Sequence, residues 1–124
     1  MGAKGSISKE IAGQSPLKSQ WFHILLALSE DPRHGSGIVR SVLEQTNGSL
    51  RLWPATLYGS LEDLADRGWI EELTTDSDRP EESERRRYYR ITRDGSGVLA
   101  AEANRMQTLA SAALARVGAG PLAQ

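Results

Sequence analysis

Residues 52–70 read LWPATLYGSLEDLADRGWI. Pro54 suits the first position of a helix, where its missing N–H costs nothing. Leu57, Leu61 and Leu64 recur at i, i+4 and i+7, the core stripe of a helix, and Gly68 is a stop signal. The stretch therefore predicts a helix from about 54 to 67, followed at 69–73 by a strand. At ~100° per residue, a core-facing leucine stripe turns Ala55, Gly59, Glu62 and Asp66 outward and leaves Thr56 and Tyr58 on the flanks. The N-terminal half of this helix is then small and hydroxyl-bearing, which permits close approach to another molecule.

Upstream lie two more helices. Ser15 is a cap and Pro16 a first-turn residue for a helix through 20–30, where Trp21, Leu25 and Leu28 recur at helical spacing with Phe22 and Leu26 on a flank. That arc is wide, as in a helix buried on more than one side, and Asp31-Pro32 stops it. A second helix spans 34–46, with Ser36 as cap, the pairs Ile38/Val42 and Val39/Leu43, and Asn47-Gly48 as terminator. Downstream, residues 87–91 (RYYRI) form a second short strand, rich in β-formers. Thr92 to Asp94 cap a long helix reaching Val117, and Gly118 and Gly120-Pro121 end it. The fold class is mainly α with a small β-hairpin: helix, helix, helix, strand, strand, helix. That order predicts a winged helix-turn-helix at 17–92, a C-terminal dimerisation helix at 93–117, and tails at 1–16 and 118–124.

The chain has 124 residues, 15 Lys+Arg and 16 Asp+Glu, for a net charge of −1. This length suits one domain with one added element and is too short for a barrel or a two-domain dinucleotide enzyme. Cysteine is absent, which excludes disulfides, thiolate metal sites and a Cys nucleophile. No apolar run approaches the ~20 residues that span a bilayer, and residues 1–9 lack the apolar stretch of a signal peptide. The expected location is cytoplasmic. His23 and His34 are too isolated for a metal site, and no triad, Walker or dinucleotide motif occurs. The expectation is no enzyme, no metal and no cofactor.

Charge is segregated. Residues 71–84 hold seven acids and one Arg, whereas 84–94 hold five Arg and two acids. Arg85, Arg86 and Arg87 are placed for phosphates, against the alternative that they pair with Glu81, Glu82 and Glu84. Strand alternation turns Tyr89 and Ile91 to the core.

Four motifs in order resemble the PadR-like transcriptional regulators. The first is the 52–70 stretch, similar to that family's recognition helix. The second is 25–35, with Asp31-Pro32 and His34-Gly35, similar to its first-helix exit. The third is RRRYYRIT at 85–92, similar to its wing return strand. The fourth is Asp94-Gly95 before one long helix, as in its short branch with a single C-terminal helix. The resemblance spans roughly 20–116 and departs from the pattern at Trp53, at Ala55 and in the acidic wing loop. It implies a homodimeric DNA-binding regulator, a repressor by expectation, on a pseudo-palindromic operator in double-stranded DNA, with a small-molecule effector between subunits.

On this reading Ala55 and Thr56 meet base edges, while Tyr58, Arg85, Arg86 and Arg87 meet the backbone. Trp21 and Leu25 of the first helix and Leu99, Ala103, Met106, Ala110 and Ala113 of the last form the dimer interface. The rival reading is a winged-helix protein-interaction module without DNA binding, which the acidic loop favours.

Overall fold

The computed structural model describes residues 16–73 and 87–118. Among these residues four helices and three short strands follow in order: α1 (Ser19–Glu30), β1 (Arg33–His34), α2 (Gly35–Gln45), α3 (Pro54–Asp66), β2 (Ile70–Leu73), β3 (Tyr88–Ile91) and α4 (Arg93–Val117).

The helices stop where the punctuation residues stand. Asn47, Gly48, Gly68 and Gly118 all have positive φ, the left-handed conformation that closes a helix C-terminus. Starts are less faithful. α1 begins at Ser19 behind Lys18, which makes no side-chain cap, and Pro16 lies in a bend outside the helix. α2 is capped not by Ser36 but by His34, whose Nδ1 accepts from the Gly37 N–H at 3.3 Å. α4 starts as expected, with the Gly95 N–H donating to Thr92 Oγ1 at 3.0 Å.

The sheet has three antiparallel strands in the order β1-β3-β2. β2 and β3 are the expected hairpin, Ile70 opposite Ile91 and Leu73 opposite Tyr88. β1 was not foreseen. Arg33 and His34 pair with Tyr89 and Tyr88, giving the outer edge of β3 a partner. The His34 ring also meets Tyr88 edge-on at 5.2 Å.

Residues Leu17–Leu99 form one compact unit. Its centre is Ile24, Leu25, Leu28, Ile38, Val42, Leu61, Leu64 and Ile70, all fully buried, so each of the first three helices contributes its predicted stripe. α1 and α2 are also joined through a polar clamp. Gln45 Nε2 donates to the His23 carbonyl at 3.2 Å, and its Oε1 lies 2.6 Å from His23 Nδ1. A second clamp ties the exit of α3 to the entry of α4: Thr92 Oγ1 donates to the Gly68 carbonyl at 2.6 Å, and the Thr92 N–H donates to the Trp69 carbonyl at 3.0 Å. The second unit contains residues 100–117 of α4 and Gly118. Within it Arg105 makes two hydrogen bonds to the buried Glu102 carboxylate, at 2.9 and 2.6 Å.

Candidate nucleic-acid interface

α3 buries Leu57, Leu61 and Leu64, and also Ser60, which the leucine stripe did not single out. Its other side is open. Ala55, Thr56, Tyr58, Gly59, Glu62 and Asp66 are exposed. Among the described residues Gly59 has no packing reason, since a Cβ added there would meet nothing within 4 Å. The first two turns therefore form a low surface ending in the free N–H groups of a helix N-terminus, which favour an anion.

Tyr58 stands at the edge of this surface, half exposed. Its hydroxyl lies over the start of α2, 2.7 Å from where a Cβ on Gly35 would be. Beside it, an open groove of 370 Å³ runs between α3 and the sheet, lined by Tyr58, Leu61, Glu62, Ala65, Asp66, Glu72, Arg87 and Tyr89. Three carboxylates and one guanidinium rim this groove. Tyr89 is buried, as the alternation requires, and burial raises its phenol above the usual tyrosine value. Arg87 hydrogen-bonds the Tyr89 side chain and lies 3.6 Å from Glu72, and both contacts raise its own pKa further. Arg90 pairs with Glu71 across the hairpin at 2.7 Å. Both pairs are largely solvent-exposed, where ion pairs contribute about 0–1 kcal/mol, so Arg87 is held loosely. Arg85 and Arg86 lie outside the described residues, as do Glu81, Glu82 and Glu84.

Two residues escaped the sequence reading. Trp53, at the N-cap of α3, is 61% exposed, and the Arg51 guanidinium stacks over its ring at 4.7 Å. Their one signal in the sequence was the departure at Trp53, where the resemblance leads one to expect a capping hydroxyl.

The expected dimer residues divide. Trp21 and Leu25 are corrected. Leu25 is fully enclosed, and Trp21 is buried edge-on against Trp69 at 5.9 Å with Arg67 over both rings. The wide apolar arc of α1 serves the protomer's own core, and the apolar side chain it leaves exposed is Leu26. Leu99 is half-buried against the same core. Ala103, Met106, Ala110 and Ala113 are exposed, and so are Leu109, Leu114 and Val117.

Among the described residues no group of three or more His, Asp or Glu could hold a metal ion, and no helix is long and apolar enough to cross a membrane. The model of the transcriptional regulator PadR-like family matches residues 24–101. The chain belongs to the PadR-like family of transcriptional regulators. Its members are regulators, not enzymes, which agrees with the sequence reading. No curated protein matches the chain in sequence.

Solved structures share the PadR-like chain's fold at low identity. A transcriptional regulator from Clostridium thermocellum, Cth-833, has a TM-score of 0.62 at 22% identity, covering 75% of this chain and 84% of its own. RosR of H. salinarum has a TM-score of 0.61 at 20% identity, covering 90% and 99%. BpsR of Bordetella bronchiseptica, whose DNA binding is regulated by 6-hydroxynicotinic acid, has a TM-score of 0.61 at 16% identity, covering 88% and 69%.

Proposed function

We propose that this PadR-like regulator is a cytoplasmic, sequence-specific DNA-binding repressor that works as a homodimer on a pseudo-palindromic operator. The observation that carries the reading is the first half of α3. Ala55, Thr56 and Gly59 are exposed together on a helix whose buried leucines lie on the opposite face, and Gly59 leaves open space that no described residue fills. A helix entering a major groove needs such a low surface at its N-terminus. The Ala55 and Thr56 methyl groups suit a thymine methyl, and the Tyr58 hydroxyl suits a phosphate. Arg87 adds a cation beside that surface, and Arg85 and Arg86 belong to the same basic run.

The dimer rests on α4. Residues 99, 103, 106, 110, 113 and 117 alternate spacings of four and three, the period of a two-helix seam. From Ala103 onward they are exposed in the protomer. Covering Met106 and Val117, with Leu109 and Leu114 at the flanks, calls for a second copy, and an isologous contact is the simplest closed one. Leu26 of α1 replaces Trp21 and Leu25 in that interface. An effector lodged between subunits would change the spacing of the two α3 helices. BpsR supplies a case of small-molecule control on this fold.

Selection of bound duplexes from a random library tests the reading. Enrichment of two inverted half-sites about one helical turn apart is the expected result, and no enrichment rejects it. A second reading, a protein-docking module, is favoured by the carboxylates of Glu62, Asp66 and Glu72 around the groove. It predicts no steep dependence of DNA binding on salt.

A further inference from the structure

We propose that Arg51 and Trp53 act as one reading unit at the entry of α3, with the indole on the C5-methyl of a thymine and the guanidinium on the neighbouring phosphate. The inference rests on the DNA-binding reading above and adds a base and two residues to it.

The position is costly without such a partner. An N-cap residue normally supplies an oxygen to the free N–H groups of the first turn, and its replacement weakens the helix. Indole cannot accept those bonds, and Trp53 makes no cap. Nor does its ring go inside. Trp21 and Trp69 are 6% and 7% exposed, whereas Trp53 is 61% exposed. A large aromatic held in water, one residue before Pro54 fixes the helix entry, adds no burial to the core.

The ring is nevertheless held. Arg51 lies over it at 4.7 Å, and among the described residues no carboxylate pairs with that guanidinium. One face of the indole is therefore occupied by a cation that no described carboxylate neutralises. Duplex DNA supplies both complements side by side. Phosphate answers the guanidinium. The remaining indole surface is apolar with a single N–H donor, and the thymine methyl is the apolar group that the major groove displays. Ala55 and Thr56 follow directly on the same exposed entry, so Trp53 extends their surface by one step toward the edge of the half-site.

The test uses the full chain and the duplex recovered by selection, with each thymine replaced singly by uracil, which removes only the C5-methyl. The wild type is expected to lose about three- to fivefold in affinity at one further position, the worth of one buried methyl. Trp53→Ser, which restores a capping hydroxyl, should be indifferent to uracil there while keeping its other thymine sensitivities. Trp53→Phe, which keeps an apolar ring, should retain the loss. Circular dichroism checks that both variants keep the wild-type fold. Arg51→Ala should lower the salt slope by about one unit. Because the other two tryptophans are buried, iodide quenching reports Trp53, and bound duplex should abolish it. If no duplex binds the wild type, the DNA-binding reading falls. If duplex binds but Trp53→Ser and wild type share one uracil profile, or Trp53 stays open to iodide in the complex, this inference alone falls.

Discussion

A glycine inside a helix costs about 1 kcal/mol against alanine. At Gly59 no contact among the described residues gives a return, since an added methyl would enter open space there. Gly59→Ala should therefore stabilise the fold by ~1 kcal/mol, read as a higher thermal midpoint, and weaken DNA binding severalfold. A rise in both would remove Gly59 from the contact surface. The same substitution at Gly95 should act in the opposite way. A Cβ there would fall 2.0 Å from the Trp69 carbonyl oxygen, which already accepts from the Thr92 N–H and cannot withdraw. Gly95→Ala should cost about 3 kcal/mol, as overpacking does, measured by urea denaturation. A loss under about 1 kcal/mol, the low end for overpacking, would mean that the junction yields.

The hairpin is the element on which sequence and structure instruct each other most. The apolar-polar alternation of 88–91 tells which side chains enter the core, and Tyr89 does so. The helix stripes were equally legible, because a 3.6-residue period sustained over three turns is the mark of a helix with one buried face. β1 was not legible: two residues carry no period, and its existence depends on the edge of β3. The His34 cap was hidden for a similar reason, since histidine is not a usual capping residue. Trp21 was misread because a wide apolar arc does not say which side meets the core and which a partner. In the candidate site, the exposed face of α3 followed from the leucines, whereas the stacking of Arg51 on Trp53 lies in an extended segment with no pattern to betray it. The wing carries its own prediction. Arg87 is shared with Glu72 and Tyr89 but remains mostly in solvent. Replacing both Arg86 and Arg87 by Ala should reduce the salt slope of DNA binding by about two units and weaken all sequences alike. An unchanged slope would assign these arginines to the hairpin surface alone.

At the scale of the whole molecule, the seam residues of α4 govern assembly. Met106 is the largest of them between Leu99 and Val117. Met106→Glu would bury an unpaired charge in an apolar contact, at a cost of roughly 3 kcal/mol or more. Sedimentation should find dimer for the wild type and monomer for the variant at micromolar concentration, and a wild type that is already monomeric overturns the homodimer. The Thr92 clamp matters here in another way. By fastening Gly68 and Trp69 to the first turn of α4, it secures both feet of the hairpin to the scaffold, independent of what joins them. What the clamp fastens, Gly68, Trp69, Thr92 and Gly95, sets no length for the sequence that joins β2 to β3. Doubling the length of a flexible connection costs only roughly 0.6 kcal/mol of closure entropy. A framework fastened in this way can take insertions, deletions and changes of charge between Leu73 and Arg87 in evolution while the core beneath is left alone.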